Sequence, residues 1–385
     1  MLLFDSAIYS VISIDTNKKT VDFFKKADNG KGEIVHTKES FSSDFGTEEF
    51  YEALKGAIKI HCNKKTDGKT AVVLSDNLFF VDTIKLPVIQ KKAMENSLSL
   101  AMSALYENHN ELKYKFFSIY GDKQNTTYLV SGIREAIFKK IVSTVEEGGV
   151  DVAFVTFASN SAVCGAISVE SKLKGEDFVL IDVKDDFTRI SLAVSGKASG
   201  FFSLPIGLKH ISDAEVNGEY EYFDHSIAER EVANAKALAK NKKIVEVEVD
   251  DDTVELKSKT GKTARRYPKF MIRETPQNSE GVAYENFRPI LKWAQEIARQ
   301  NTEIFQSSDK VKLYVNLPSS LSYLVEMAKA EDQNLRLSAL TVAEAEREKL
   351  AKIDLYGAFY AKKSKVNLFT PQSALAGLSF SFGKK

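Results

Sequence analysis

The chain has almost no cysteine. Cys62 and Cys164 are the two thiols in 385 residues, too few for a zinc cluster or a disulfide framework, and they fit a reducing cytosol. Net charge is missing as well: Lys plus Arg and Asp plus Glu both number 53. That balance gives the whole molecule no electrostatic pull toward nucleic acid or an anionic membrane. No apolar run approaches the roughly 20 residues of a spanning helix, so any membrane association is expected to come through a partner. Met1-Leu2-Leu3-Phe4-Asp5 has no basic region and meets an acid at once, unlike a signal peptide.

Familiar catalytic signatures are also absent. No Gly-x-Ser-x-Gly elbow supports serine hydrolysis. Gly68-Lys69-Thr70 and Gly261-Lys262-Thr263 have Asn63 and Leu256 where a phosphate loop needs its earlier glycine. His36, His61, His109, His210 and His225 show no i, i+4 pair suited to zinc. Asp250-Asp251-Asp252 lacks the alternate spacing and the glycine of a calcium loop. One basic cluster exists, Lys257, Lys259, Lys262, Arg265, Arg266 and Lys269. Acids flank it from Glu246 to Glu255 and at Glu274, so a solvated hairpin face is expected rather than a nucleic-acid site.

What is present is a soluble globular composition, 43% apolar and 28% charged. The length calls for two lobes, or one lobe with large insertions. Leu2 to Asp5, Tyr9 to Asp15 and Thr20 to Lys25 read as three short strands, with Thr16-Asn17-Lys18-Lys19 as a turn. Phe178 to Asp182, Thr188 to Val194 and Ala198 to Leu204 repeat that layout. One offset carries Ile12, Ser13, Lys19, Phe23 and Phe24 onto Ile190, Ser191, Lys197, Phe201 and Phe202. With one residue of slack, Asp5 falls on Asp182. Either the chain is a duplicated fold whose halves begin with a meander, or two unrelated meanders share strand-forming residues.

The remainder alternates strands and helices. Ala71 to Leu74, Asn77 to Leu86, Tyr114 to Tyr120, Thr127 to Gly132 and Val311 to Val315 read as strands. Lys91 to Tyr106, Glu135 to Glu146, Tyr284 to Gln306 and most of Ser212 to Lys240 read as helices, the second stopped at Gly148-Gly149. Ile244 to Lys259 has the alternation of a half-exposed hairpin. Sheets packed on helices, an α/β class, follow from this order.

Several segments resemble the PilM proteins of type IV pilus systems, relatives of FtsA in the actin-like superfamily. They are Phe178-Val179-Leu180-Ile181-Asp182 with the exit Ser203-Leu204-Pro205-Ile206-Gly207, Lys85-Leu86-Pro87 with the helix after it, and Val130-Ser131-Gly132-Ile133-Arg134. Trp293 to Ile297, Val311 to Val315 and Tyr356-Gly357-Ala358-Phe359-Tyr360 with Val366-Asn367-Leu368-Phe369 add to it. The resemblance implies an actin-like, ribonuclease H-like duplicated two-lobe fold with a small inserted subdomain. It places the first lobe at 1–84, 151–175 and 346–370, and the inserted subdomain at 85–150. The second lobe is then 176–345, with 206–300 its own insertion, and 371–385 is a tail.

Actin-like ATPases hold Mg-ATP between two hairpin loops, each with an acid for the metal and a glycine that lets backbone N–H groups reach phosphate. The resemblance puts Asp5 and Asp182 at the acids, and Ser10 and Thr188 at the hydroxyl positions. Ala7 and Lys184 stand where the glycines are expected, and Asn316-Leu317-Pro318-Ser319 replaces the glycine pair of the adenosine loop. Bulk at these positions should exclude nucleotide. Lys184 could pair with Asp5 or Asp182 in place of the cation, could bind phosphate instead, or both acids could simply end strands.

A nucleotide-free scaffold is therefore expected, cytoplasmic and peripheral to the inner membrane, with no bound cofactor. The alternative is a working ATPase or an ATP-switched polymer former using ATP and Mg. The resemblance also implies a groove between the first lobe and the inserted subdomain for the N-terminal peptide of a PilN-like membrane partner. Leu86, Met94, Leu98, Met102 and Leu105 are its candidate neighbours. Ser364 to Thr370 is either a docked peptide or the last element of the first lobe. The apolar ending Leu375 to Phe382, interrupted by Gly377, does not suit a membrane helix.

Overall fold

The computed structural model describes residues 8–26, 34–62, 69–88, 91–213, 244–248, 253–258, 263–268, 279–301, 305, 311–340, 352–364 and 366–371. β1 (Ile8–Asp15), β2 (Thr20–Lys26) and β3 (Ile34–Ser40) form an antiparallel meander. Helix α1 (Glu48–His61) starts where the Thr47 side chain accepts from the Phe50 N–H, with Glu48 and Glu49 against the positive end of the helix dipole. It buries Phe50, Leu54 and Ile58, spaced at i and i+4, so that one face seals the first sheet. β4 (Lys69–Leu74) then returns parallel to β1.

The inserted subdomain comprises β5 (Phe79–Pro87), α2 (Lys91–Leu105), β6 (Leu112–Gly121) and β7 (Asn125–Arg134), its sheet ordered β5-β7-β6. α2 seals it by setting Met94, Leu98 and Met102 against Ile84, Phe116, Tyr128 and Val130. The subdomain's first strand begins at Phe79, before the boundary expected at residue 85. α3 (Glu135–Glu147) packs against α1 and ends where Gly149 adopts φ 104°, the left-handed exit that glycine permits without strain. β8 (Asp151–Phe157) completes a first sheet of order β3-β2-β1-β4-β8, and α4 (Ala158–Val169) leads out of it.

The second lobe repeats this plan. β9 (Phe178–Val183), β10 (Thr188–Val194) and β11 (Lys197–Leu204) form the meander, followed by the short helix α5 (Leu208–Ile211). β12 (Ile244–Glu248), β13 (Thr253–Ser258) and β14 (Thr263–Pro268) make a separate antiparallel sheet. The expected hairpin is β12–β13, and the basic cluster continues onto a third strand. α6 (Ser279–Gln300), β15 (Lys312–Asn316), α7 (Tyr323–Glu331) and β16 (Leu337–Ala339) follow, giving the order β11-β10-β9-β15-β16. α8 (Ile353–Ser364) returns to cross α4. The helix expected over Ser212 to Lys240 and the apolar ending lie outside the described residues.

The two sheets share one order, three antiparallel strands and then two parallel ones, so the halves are a true repeat. Its frame is one strand away from the offset drawn from sequence. β1, not the segment before it, takes the place of β9, because β1 pairs parallel with β4 as β9 pairs parallel with β15. Ile14 lies opposite Leu74 as Ile181 lies opposite Val315. Asp15 is therefore the counterpart of Asp182, and Asp5 lies outside the described residues.

α4 and α8 cross with almost no side chain between them. A β-carbon on Gly357 would run into the Ser161 carbonyl, and one on Gly165 into the Ile353 carbonyl. Small residues line this part of α4, from Ala158 to Ala166, and all are buried. The Ser161 hydroxyl donates to the Asp354 carbonyl across the crossing. This contact fixes the first turn of α8, and with it the Asp354 side chain, at the floor of the cleft between the lobes.

Candidate functional site in the interlobe cleft

The two hairpin turns, residues 16–19 and 184–187, face each other, and Lys18 Nζ lies 2.7 Å from Asp186 Oδ2. Lys209 Nζ also reaches Asp186, at 2.6 Å, and these two ammonium groups hold its carboxyl down at about 2. Behind the turns, Asp182 lies one residue before the end of β9 with no solvent exposure. Asn316, its register partner on β15, donates its side-chain amide to Asp182 Oδ1 at 2.8 Å.

Arg189, opposite Asp182 on β10, fills the centre. Its Nη1 lies 3.2 Å from Asp182 Oδ2 and 3.1 Å from Asp354 Oδ2, and its Nε donates to Asp76 Oδ2 at 3.0 Å. Lys184 Nζ adds contacts of 3.0 Å to Asp182 and 3.2 Å to Asp354. Asp76, just past β4, also accepts from the Ser159 N–H at 2.7 Å and the Ser159 hydroxyl at 2.9 Å. Three carboxylates and two cations thus interlock where the lobes meet.

Burial and charge compete at each group. Burial lifts the Asp76 carboxyl above its ordinary value, against Arg189 and the two Ser159 donors. For Asp354 burial also opposes ionisation, but Lys184 and Arg189 overcome it and hold the carboxyl well below the usual range. Burial likewise works against the charges of Lys184 and Arg189, and the surrounding acids outweigh it, so both are held firmly protonated. Such a cluster costs desolvation to assemble, and losing one member leaves its partners charged and buried.

Three backbone donors of the turns are engaged locally, and Thr16 N–H donates to Ser75 Oγ at 2.9 Å. Asp15 Oδ1 accepts from the N–H groups of Asn17 and Lys18, both at 3.0 Å, and Lys184 N–H donates to the Phe187 carbonyl at 2.8 Å. Gly207 passes so close beneath the second turn that a β-carbon would lie 2.5 Å from the Lys184 carbonyl oxygen. A cavity of about 700 Å³ remains between the turns, bordered by Asp15, Lys18, Lys184, Pro318 and Asp354. The Lys184 ammonium is drawn inward to its acids, and Leu317 and Pro318 line the remaining space.

Of the other residues expected in this site, Ser10 and Thr188 play different parts. Ser10 Oγ sits 2.6 Å from Thr70 Oγ1 between β1 and β4, inside the first sheet, because the repeat frame places it mid-strand. Thr188 Oγ1 donates to the Ile206 carbonyl at 2.6 Å and pins the exit of β11. Asp182 and Lys184 do come together. Arg189, Asp76 and Asp354 were missed, although a charged residue in the apolar run Ile190-Ser191-Leu192 and Thr188 before it is the signal that singles out Arg189.

The proposed partner-contacting residues divide. Met94, Leu98 and Met102 are buried core of the inserted subdomain, where an amphipathic helix must place its apolar stripe, and so offer no contact surface. Leu86 packs partly against that core, and Leu105 is exposed. Val366 to Phe369, all four buried, pack where the two lobes and the inserted sheet meet.

No protein-family model matches the chain, and no curated protein matches its sequence. Solved structures do resemble it. The PilM–PilN type IV pilus biogenesis complex is 12% identical over 93% of this chain and 98% of that chain, with a TM-score of 0.53. MreB5 of Spiroplasma citri bound to AMPPNP is 10% identical over 93% and 97%, with a TM-score of 0.41. The cytoplasmic domain of EpsL, an inner-membrane component of the type II secretion system of Vibrio cholerae, is 12% identical over 51% and 70%, with a TM-score of 0.37. The chain has the actin-like fold, in the two-lobed form with an inserted subdomain that resembles PilM.

Proposed function

We propose that this protein is an actin-like scaffold of a type IV pilus or related secretion machine, working on the cytoplasmic side of the inner membrane without nucleotide turnover. The observation that carries the proposal is Arg189, whose guanidinium sits among Asp76, Asp182 and Asp354. Asp182 is the acid that the resemblance places where an actin-like ATPase holds its divalent cation; here a side chain of the protein supplies the positive charge permanently. The N–H groups of Asn17, Lys18 and Lys184 in the turns are already turned to internal acceptors. The lobes are bridged by the chain itself, which suits a body whose task is to hold partners in place. A PilN-like membrane protein is the partner the fold resemblance favours.

A second reading, a working ATPase, is favoured by the cavity of about 700 Å³, which is large enough for a nucleotide. Thermal unfolding with and without millimolar Mg-ATP separates the two. A ligand at a hundred times its Kd stabilises by about 2.7 kcal/mol, an easily seen shift. No shift is expected, and no phosphate release. A clear shift together with hydrolysis abolished by Asp182→Ala would overturn the scaffold reading.

A further inference from the structure

On the first lobe, one run of hydrogen bonds joins a lysine, a histidine and an aspartate. Lys352 Nζ lies 2.9 Å from His36 Nδ1, and His36 Nε2 lies 2.6 Å from Asp22 Oδ1. An ammonium only donates, so Nδ1 accepts from Lys352 and the ring proton sits on Nε2, pointing at the Asp22 carboxylate. The side chains of His36 and Asp22 are only 26% and 19% exposed, so water competes weakly for these bonds. Phe24 stacks on the imidazole at 4.2 Å, and the Lys352 ammonium lies 5.3 Å over the same ring. The Lys352 carbonyl accepts from the N–H groups of Leu355 and Tyr356, both at 3.0 Å, so the first turn of α8 anchors the residue.

The order is that of an activated nucleophile: an attacking group, an imidazole that takes its proton, and a carboxylate that orients the imidazole and steadies its charged form. A plain tie between α8 and the β2–β3 ribbon would need the lysine and an acid, with no imidazole between them. A second cation stands nearby. Lys38 lies two residues beyond His36 on the same face of β3, about 7 Å along the strand. It is exposed and makes no ion pair among the described residues, although Asp22 is its register partner on β2. Asp22 and Lys38 both border the cleft cavity. An unpaired ammonium beside the nucleophile suits a reagent whose leaving group is an anion.

We propose that Lys352, His36 and Asp22 form a self-acylation site for small acyl phosphates, with Lys38 holding the phosphate. Lys352 Nζ attacks the acyl carbon as a proton passes to His36 Nδ1. The C–N bond forms, and the C–O bond to phosphate breaks with its electron pair leaving on the phosphate oxygen. Of the two protons that the nitrogen loses, His36 takes the first and gives it to the departing phosphate. The second goes to water. The product is an amide at the head of α8, where a cation stood two residues before Asp354. This site is independent of the scaffold reading, and neither depends on the other.

The test is site-resolved peptide mass spectrometry of the full chain treated with acetyl phosphate, against a synthetic peptide of residues 350–356 that carries the same lysine without the fold. Lys352 should be acetylated at least about tenfold faster in the protein than in the peptide. His36→Asn should bring it down to the peptide's rate, and Asp22→Asn should slow it. Lys38→Ala should slow acetyl phosphate while leaving an acetyl thioester, which has no phosphate to hold, unaffected. Equal rates in protein and peptide, or an unchanged rate in His36→Asn, would overturn the proposal. Should the His36 variant fail to fold, the pH profile of the unaltered chain decides. A free lysine reacts about tenfold faster per pH unit below about 10.4, whereas transfer to a neutral imidazole gives a level rate once histidine has lost its proton, above about pH 7.5. A profile at Lys352 that climbs like the peptide's would sink the idea.

Discussion

Arg189 Nη1 and Asp354 Oδ2 stand 3.1 Å apart, one on the second strand of the second lobe and the other in the first turn of α8. Because the same guanidinium reaches Asp76 past β4, a single side chain ties three separated parts of the chain at the cleft floor. The α4–α8 crossing makes this possible by bringing α8 in at glycine distance.

Arg189→Met should therefore destabilise the protein by about 3–5 kcal/mol in urea unfolding, the usual cost of orphaning buried partners. Combining it with Asp354→Asn should cost clearly less than the sum of the two single changes, since they share one network. Lys18→Ala, which breaks the exposed bridge to Asp186 and a loose contact over the Phe187 ring, should leave the urea midpoint nearly unchanged. Additive losses at Arg189 and Asp354 would contradict the network.

Gly357→Ala and Gly56→Ala should move stability in opposite directions. The first drives a methyl group into the Ser161 carbonyl and separates α4 from α8, so its thermal midpoint should fall sharply. The second lies in α1 with open space around it, and alanine there should add about 0.5–1 kcal/mol through helix propensity. A neutral Gly357→Ala would mean that the crossing is looser than described.

Burial brings the Lys115 ammonium down from 10.5 to about 8. Between those values the unfolded chain binds more protons at this residue than the folded one, so its contribution to stability rises with pH across that window. The contribution is complete above 10.5 and is lost as pH falls through about 8. Lys115→Met should remove this slope. Equal slopes in the two chains, read from unfolding midpoints at several pH values, would refute the assignment.

Leu98→Ala should cost about 2–5 kcal/mol, as expected for a fully buried leucine in the core of the inserted subdomain. Leu100→Ala, on the exposed side of α2, should be close to neutral. Comparable effects would show that α2 is turned differently on its sheet.

Much of this protein is determined locally. Alternation and turn residues mark Thr188–Val194 and Lys197–Leu204, the turn at residues 16–19, and the β12–β13 hairpin, because strand period and turn chemistry are properties of a few neighbouring residues. The apolar stripe of α2 and the glycine that ends α3 belong to the same class. The pairing of Lys184 with Asp182 was also legible, two residues apart beside a turn. The frame of the repeat was not, since the alternation of β1 fits either strand position and only its parallel pairing with β4 selects one. Arg189, Asp76 and Asp354 gave no joint signal, because the chain brings them together through the helix crossing from remote positions. The run around Asn367 stood out in the sequence, but the residues that close around its side chain, Ser131, Asn160 and Ala198, come from remote positions. Local propensity set the elements; nonlocal pairing and close helix approach decided which charges meet.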